Sequence, residues 1–512
     1  MTDKLSKNKK IAKNTAFLCI RMAFVLFIAI YTSSILLSSL GISDYGMYNV
    51  VAGFVSMFAI LNAALTSCVQ RYYNYEIGCH GDSGFNRVYI TAVQIQILLM
   101  ILAVGLSEIV GVWYIQNKLV VPSDRLYVAS VIFHFSVASM ALTILQVPYS
   151  AAIIAKEKMN YYAIVGIIDI LLKLFVAISV QYISSDKLIY YGLLIAGVSL
   201  IDFILYFVYA RIKISELKFR FVFYENLFYK MIKFSGWSSL SGFAQMMRNQ
   251  GLNMILNLFF GTMINAATAI SYQIKAALAG FVQNISAAVR PQLVEAYAKG
   301  EKSRSLSLMY SISKISYIFL LIMMIPVSLE IDFILHLWLG NNVPNYTNTF
   351  TIIVLITTSI DILQTPVSMI VYANGNIAKY NILTSVFGIM VLPLAYFVLR
   401  MGMHPEMVYF ASLIISILIQ IISIRILIEL NVITTSDYMR KVVLPLLKVI
   451  SASVVLPILL RMFLSEGLVR FGVVTLVSII SVSFIAYYWG LRQSERQLIL
   501  YYGKMLIYKL KR

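Results

Sequence analysis

Charged residues are scarce in this sequence. Only 12% of its 512 residues are Asp, Glu, Lys or Arg, whereas 60% are hydrophobic and the mean hydropathy is +0.84. A water-soluble protein carries about 25% charged residues, so the composition excludes a soluble globular class. Once membrane spans of about 20 apolar residues are placed, the length also leaves no room for a large soluble domain.

Cysteine and the common catalytic motifs are also lacking. The three cysteines, Cys19, Cys68 and Cys79, are odd in number and show no metal-ligand or CxxC spacing, so we expect neither a disulfide framework nor a zinc site. There is no Walker A, GxGxxG or HExxH sequence, and the four histidines are scattered. The sequence therefore predicts no cofactor and no metal, and it gives no support to an ATP-driven pump or a metalloenzyme.

Long apolar segments are abundant. About 14 of them have spanning length and are separated by short polar breaks. This pattern predicts an all-α, polytopic integral membrane protein with about 14 transmembrane helices. The predicted spans are 16–40, 46–70, 88–115, 126–152, 160–183, 188–210, 232–260, 263–289, 306–329, 349–373, 380–400, 406–429, 441–462 and 469–490.

Positive charge dominates the few charged residues, with 41 Lys and Arg against 22 Asp and Glu. In a membrane protein this excess marks cytoplasmic loops, so it does not predict a nucleic-acid partner. If the N-terminus lies inside, about 29 basic residues fall in cytoplasmic segments and about six in outer ones. The longest inside loop, 211–233, holds six of them. We therefore predict that both termini and this loop are cytoplasmic.

An internal repeat divides the sequence. Leu145-Gln-Val-Pro148 and Leu363-Gln-Thr-Pro366 lie 218 residues apart, and the same offset separates Tyr162 from Tyr380. Gly41 after span one has a counterpart in Gly261 after span seven. Because six spans per half is an even number, the halves should be related by a pseudo-two-fold axis along the membrane normal.

The repeat predicts four regions. We expect an N-terminal six-helix bundle at 1–210, a cytoplasmic linker at 211–233 and a second six-helix bundle at 234–430. Residues 431–512 then form an extra helical hairpin, spans 13 and 14, followed by a basic cytoplasmic tail.

Polar residues in the predicted spans follow helical faces. Such residues are costly in lipid, so a face of them indicates a protein interior or a water-filled cavity. Span eight carries Tyr272 and Lys275, span two carries Asn49, and spans eleven to fourteen carry far fewer such groups. We expect a central cavity between spans one, two, seven and eight. The polar face of span seven consists of Ser238, Ser241, Gln245, Arg248, Asn249, Asn253 and Asn257.

Two of these residues, Arg248 and Lys275, are cations about a dozen residues from either end of their spans, too deep for easy snorkelling. We favour a binding role for both. The alternative is structural pairing with Glu108, Asp202 or Asp361. Asp361 also lies near the middle of its span and is a candidate for ion coupling.

Other charges in the spans favour simpler interpretations. Asp169 and Lys173 are spaced i, i+4, which favours a pair with each other over a ligand site. Lys314 and Lys448 lie near inner ends, where their side chains could snorkel. For Arg21 the sequence leaves snorkelling and a cavity position equally open.

Several short segments resemble a known family. They are Leu40–Val51 (LGISDYGMYNVV), Phe234–Trp237 (FSGW), Asn249–Asn253 (NQGLN), Asn257–Gly261 (NLFFG) and Asn265–Ala267 (NAA). Together they resemble bacterial Wzx-type flippases for lipid-linked oligosaccharides, which belong to the multidrug/oligosaccharidyl-lipid/polysaccharide exporter superfamily.

The resemblance implies a function. Two bundles would rock about the central cavity in the bacterial cytoplasmic (inner) membrane. They would carry a polyprenyl-pyrophosphate-linked oligosaccharide, such as a polysaccharide or lipopolysaccharide (O-antigen) repeat unit, from the inner to the outer leaflet. Membrane lipids would surround the protein, and H⁺ or Na⁺ could be the coupling ion.

The resemblance also implies site residues. Arg21, Arg248 and Lys275 match cationic cavity positions, and Arg71 and Arg290 would guard the cytoplasmic entrance. With the polar residues of the predicted cavity, the candidate substrate contacts are Arg21, Asn49, Gln245, Arg248, Asn249, Asn253, Tyr272 and Lys275.

Two alternatives stay open. A cation-coupled multidrug exporter of the same superfamily would place carboxylates in the cavity helices, but spans one and seven contain no Asp or Glu. Asp361, on span ten, is the exception, and it keeps ion coupling open. An integral-membrane glycan transferase or polymerase would need catalytic residues on a sizeable outer loop, and the outer connections here are short.

Overall fold

Helices make up almost all of the protein, and no β-strand occurs in the residues that the structure describes. The computed structural model describes residues 2–156, 158–298, 300–374, 378–493 and 495–496. Side chains are described for these residues except at 2–26, 56–65, 67, 74–75, 77–82, 123, 159, 234–241, 243, 284–285, 287–288, 290–292, 294–295 and 298.

Fifteen α-helices follow one another along these ranges. They are α1 (Thr2–Asn117), α2 (Leu126–Ala155), α3 (Met159–Gln181), α4 (Lys187–Lys213), α5 (Glu225–Phe260), α6 (Thr262–Ala298), α7 (Lys302–Leu329), α8 (Ile331–Leu339), α9 (Thr347–Asn374), α10 (Ala378–Arg400), α11 (Met407–Glu429), α12 (Thr435–Tyr438), α13 (Leu444–Ser453), α14 (Val455–Phe463) and α15 (Leu468–Ile485). A 3₁₀ turn covers Ser123–Arg125, and π-helical turns cover Met439–Val443 and Ala486–Gly490.

The long first helix is not straight. Gly41 has φ +81°, a left-handed conformation that only glycine adopts readily. The rings of Tyr73 and Phe85 stack with centroids 4.2 Å apart, although 12 residues of straight helix would separate them by about 18 Å. The path of α1 therefore changes direction at both places.

The prediction of a polytopic all-α protein is confirmed. Within the described residues, eleven helical segments are long and apolar enough to cross a membrane. The helices α5 and α6 contain 36 and 37 residues, which is also sufficient length, but they carry the polar residues noted above. The count of about 14 spans stays approximate.

The predicted repeat reappears in the helix bounds. The helices α3 (Met159–Gln181) and α10 (Ala378–Arg400) both contain 23 residues and lie 219 residues apart. The preceding helices α2 and α9 both carry the repeated proline inside the helix, Pro148 and Pro366. Gly261 has φ +74°, close to the value at Gly41. The pair α2 and α3 therefore has a counterpart in α9 and α10, whereas the single helix α1 has no single counterpart in the second half.

The residue contacts divide the chain into two units, Met1–Ala269 and Ile270–Arg512. In the first unit, apolar residues of α1, α2 and α4 form a core around Tyr73, Phe85 and Ala152. Cys68 in this core is buried and forms no disulfide with a described residue, whereas the side chains of Cys19 and Cys79 lie outside the described residues. In the second unit, a core joins α7, α9 and α11 to the terminal helices through residues such as Val449 and Val482. The predicted regions 1–210, 211–233, 234–430 and 431–512 stay a prediction.

Two predictions about charges in the spans have opposite outcomes. Lys173 Nζ contacts Asp169 Oδ1 at 2.7 Å, so the predicted pair is confirmed. The predicted snorkelling of Lys314 is wrong, because its side chain is 1% exposed and its Nζ binds Glu495 Oε2 at 2.5 Å. A buried acid behind the last span gives this lysine a partner inside the protein. Lys448 is exposed.

Candidate functional site

In the first unit, the polar face of α5 combines a buried cation with more accessible amides. Arg248 is only 5% exposed, Asn249 is half-buried and Gln245 is exposed. A guanidinium at this depth is costly unless its donors find acceptors, since burying an ion carries a large desolvation penalty. The three residues thus present charge and hydrogen-bonding capacity within one helical turn of each other.

Further along α5, asparagines hold neighbouring segments together. Asn265 Nδ2 donates to the Asn253 backbone carbonyl and to Asn253 Oδ1, both at 2.7 Å, and Asn257 Nδ2 donates to Asn265 Oδ1 at 2.9 Å. Asn257 also exchanges hydrogen bonds with the backbone of Val120, at 3.0 and 3.3 Å. These side chains are buried, so their mutual hydrogen bonds replace those that water would provide.

The same network reaches α1. Asn253 Nδ2 donates to the backbone carbonyl of Asn49 at 3.4 Å, while Asn49 Nδ2 donates to the Tyr45 carbonyl at 2.7 Å. Asn49 and Asn253, predicted as substrate contacts, are therefore neighbours. Whether either one contacts a substrate stays a prediction.

Glycines on α1 permit this close packing. A Cβ on Gly46 would lie 1.9 Å from the carbonyl oxygen of Thr262, and a Cβ on Gly53 would lie 2.4 Å from Gln250 Oε1. Ser43 Oγ and Thr262 Oγ1 share a hydrogen bond at 3.0 Å beside Gly46. Only glycine fits where the backbones of α1 and α6 approach this closely.

In the second unit, a cation and a carboxylate face each other. Lys275 Nζ on α6 lies 3.7 Å from Asp361 Oδ2 on α9, and both side chains are about one-quarter exposed, at 22% and 26%. Ser416 on α11 donates to Asp361 Oδ1 at 2.8 Å. Lys275 Nζ also lies 5.5 Å from the ring centroid of Tyr272, within cation–π range. Asp361 is thus one of the partners that the sequence analysis considered for Lys275, and of the other two, Glu108 contacts His134 at 3.1 Å.

The Lys275–Asp361 contact is longer than an ordinary ion pair with a hydrogen bond. Charge-assisted N–H···O bonds have donor–acceptor distances of about 2.7–2.9 Å. At 3.7 Å the two charges attract each other without forming a short hydrogen bond.

The remaining predicted site residues are less informative. The side chains of Arg21 and Arg290 lie outside the described residues. Arg71 is exposed on α1. Their roles in the cavity and at the entrance stay predictions.

A buried polar face on α11 was not predicted from the sequence. Its residues recur at intervals of three or four and are at most 8% exposed, so they line one buried face of the helix. The spacing is present in the sequence, but small hydroxyl side chains in a span are a weaker signal than charges, because they can bond to their own helix backbone. This face consists of Ser412, Ser416, Gln420 and Ser423.

No family model and no curated protein matches the sequence. The fold, however, is similar to solved structures. The lipid II flippase MurJ in an inward closed conformation matches with a TM-score of 0.68 and 12% identity, covering 94% of this chain and 100% of that chain. An inward-facing multidrug resistance MATE family transporter of the MOP superfamily matches with a TM-score of 0.61 and 13% identity, covering 79% and 96%.

The outward-facing conformation of a MATE family transporter of the MOP superfamily matches with a TM-score of 0.55 and 12% identity, covering 79% of this chain and 91% of that chain. The protein therefore has the fold shared by these flippases and exporters. With its many apolar helices, it is a multi-pass membrane protein.

Proposed function

We propose that this protein is a transporter, and specifically a flippase that moves a polyprenyl-pyrophosphate-linked oligosaccharide from the inner to the outer leaflet of a bacterial cytoplasmic membrane. The observation that carries the proposal is the buried Arg248 on α5, with no Asp or Glu in span seven. A pyrophosphate in a site of low dielectric needs such a cation, and Arg binds phosphate oxygens in a bidentate manner.

The composition of the polar faces supports the same substrate class. Gln245 and Asn249 offer both donors and acceptors to sugar hydroxyls, and Lys275 adds a second positive charge. The similarity to the lipid II flippase extends over 94% of this chain, against 79% for the MATE transporters, which favours a flippase with additional terminal helices.

In this proposal Lys275 has two competing partners. The carboxylate of Asp361 attracts it at 3.7 Å, and a phosphate oxygen of the substrate would attract it as well. Protonation of Asp361, or binding of Na⁺ to it, would remove the competing negative charge and release Lys275 for the substrate. Ion binding and substrate binding would then be linked through one lysine.

The test is transport by purified protein in vesicles. A fluorescent polyprenyl-pyrophosphate disaccharide serves as the probe, and rates are normalised to folded protein. Arg248→Ala and Lys275→Ala should each weaken binding about tenfold to a hundredfold, because each removes a charge-assisted contact of roughly 1.5–3 kcal/mol. Arg248→Glu and Lys275→Glu should be worse, because a carboxylate would then face phosphate.

The control is Lys213→Glu, a charge reversal at an exposed lysine at the end of α4, which should leave transport unchanged. Normal transport by both Glu variants would refute the cationic site. Reduced folded protein instead of reduced transport would assign Arg248 and Lys275 to structure.

A cation-coupled multidrug exporter is the second candidate, and Asp361 favours it because such exporters bind their ion at cavity carboxylates. Efflux of a lipophilic cation such as ethidium from the same vesicles, without transport of the lipid-linked disaccharide, would establish this function and exclude the flippase.

A further inference from the structure

A separate pocket lies at the end of α11, in the second unit. Its volume is about 420 Å³, within the range of about 300–1,000 Å³ typical of ligand sites. One wall is α11, and the other is α12 with the start of the π-helical turn. The lining residues are Ile421, Ile424, Arg425, Ile428, Thr435, Tyr438 and Met439.

The depth of this Arg425 pocket matches the lipid headgroups. Arg425 lies one turn before Glu429, where α11 ends, and Thr435 begins the next candidate span, Thr435–Phe463. The pocket is therefore at the ends of two consecutive spans, where a bilayer presents phosphates, while Ile421 lies a further turn into the span.

The charges around the pocket leave Arg425 uncompensated. The two nearest acids in the sequence are each paired with a lysine, Glu429 with Lys379 and Asp437 with Lys441. Arg425 is exposed and forms no ion pair or hydrogen bond with any residue that the structure describes. A positive charge above a concave apolar wall fits an amphiphile with an anionic head.

The backbone supplies an additional feature. Met439 lines the pocket and opens the π-helical turn Met439–Val443. Such turns are rare, and they occur frequently at functional sites because they displace side chains from regular helical positions.

We propose that the Arg425 pocket binds one anionic phospholipid, with the phosphate at Arg425 and an acyl chain against Ile421, Ile424 and Ile428. Much of the exposed apolar surface meets bulk lipid, but this pocket is concave and carries its own cation. The bound lipid would join α11 to the terminal helices. This site is independent of the proposed substrate site on α5 and α6.

The experiment is native mass spectrometry of the full-length protein titrated with phosphatidylglycerol or phosphatidylcholine. Wild-type protein should bind one phosphatidylglycerol at least about tenfold more tightly than phosphatidylcholine, as expected for one charge-assisted phosphate contact. Arg425→Gln should abolish this preference. Ile428→Trp, which keeps the charge but fills the pocket, should reduce binding of both lipids at this site.

Arg400→Gln is the matched control, since Arg400 is an exposed arginine at the end of α10 that does not line the pocket. It should behave as wild type. An unchanged preference in Arg425→Gln would overturn the proposal, as would displacement of the lipid by millimolar inorganic phosphate, which would indicate a free-anion site. If Arg425→Gln is poorly folded, the Ile428→Trp result decides the outcome.

Discussion

Among the glycines that the structure describes, Gly46 on α1 is the one where an added Cβ would come closest to another atom. The ideal position of an added Cβ is 1.9 Å from the Thr262 carbonyl oxygen, which belongs to the backbone and cannot rotate away. A methyl group here must push α1 and α6 apart. Overpacking of this kind typically costs about 1–3 kcal/mol, and more where backbone must move.

We therefore expect Gly46→Ala to lower the thermal unfolding midpoint in detergent by several degrees and to reduce the yield of folded protein. Gly105→Ala provides the control, because a Cβ at Gly105 on the same helix meets nothing within 4 Å. Alanine should be neutral there or stabilise by about 0.5–1 kcal/mol, since glycine is a poor helix former. Equal stability of the two variants would contradict the close approach.

Asp361 leads to a second prediction at this scale. If its carboxylate binds the coupling ion, Asp361→Asn should remove the dependence of transport on a proton or sodium gradient. Asparagine keeps the size of the side chain and can still accept the hydrogen bond from Ser416. Transport is measured in vesicles with and without each gradient, and a variant that still responds to the gradient as wild type does would eliminate this role.

The sequence indicated Arg248, Lys275 and Asp361 as candidate site residues, but it did not indicate which residues contact them. Polar groups inside spans are expensive, so Arg248 and Lys275 stood out at once. The partner of Lys275 is on another helix, at Asp361, and the sequence left three acids open for it. The sequence did not indicate Ser416 as a donor to Asp361, because a serine in a span can satisfy its hydroxyl within its own helix.

At the scale of helices, α15 is joined to α7 by two ion pairs, each with a buried acid. Near one end of α15, Arg470 donates twice to Glu330 Oε2, at 2.9 and 3.1 Å. Glu330 is the residue that follows α7. Beyond the other end, Glu495 accepts from Lys314 at 2.5 Å. These two contacts fix the last span against the bundle in one register.

A prediction follows for Lys314. Lys314→Met should destabilise the protein by about 3–5 kcal/mol, because it leaves Glu495 buried without its partner. The double variant Lys314→Met with Glu495→Gln should recover most of this loss, since replacing both members of a buried pair is often neutral. Unfolding by denaturant or heat in detergent measures both variants, and an equally unstable double variant would argue against the pair as the cause.

This contact also predicts a dependence on pH. Burial raises the pKa of Glu495, but hydrogen bonds from Lys314, Ser311 and the Arg492 backbone N–H outweigh it, so the pKa lies below its ordinary value of 4.5. A lowered folded-state pKa contributes stability above pH 4.5 and loses it as the pH falls through the folded-state value. The stability difference between wild type and Lys314→Met should therefore shrink below pH 4.5, and a constant difference down to pH 3 would contradict this.

At the scale of the whole molecule, the charge distribution predicts the orientation. We expect Ser215, which is exposed in the segment between α4 and α5, to face the cytoplasm. A cysteine at this position in a cysteine-free variant should react with a membrane-impermeant maleimide only after the cells are opened. Efficient labelling of intact cells would reverse the topology.

The overall architecture was largely predictable from the sequence, because few secondary structures are stable in the hydrocarbon of a bilayer. A backbone in hydrocarbon must satisfy its own hydrogen bonds, so long apolar segments become helices, and a repeat in sequence becomes a repeat of helices, as α3 and α10 illustrate. Tertiary contacts were less predictable. The acid that holds Lys314 is 181 residues away in the sequence and beyond the last span, where no local pattern connects the two.

That separation also has a consequence for biosynthesis. Lys314 enters the membrane with α7, but its partner Glu495 is translated 181 residues later. At a translation rate of about 5–20 residues per second, Glu495 is synthesised about 10–40 s after Lys314. During that interval the second unit cannot complete its interior, and Glu330 waits in the same way for Arg470. A chain truncated before Arg470 and Glu495 would therefore leave Glu330 and Lys314 buried without these partners, at the cost that an unpaired buried charge carries.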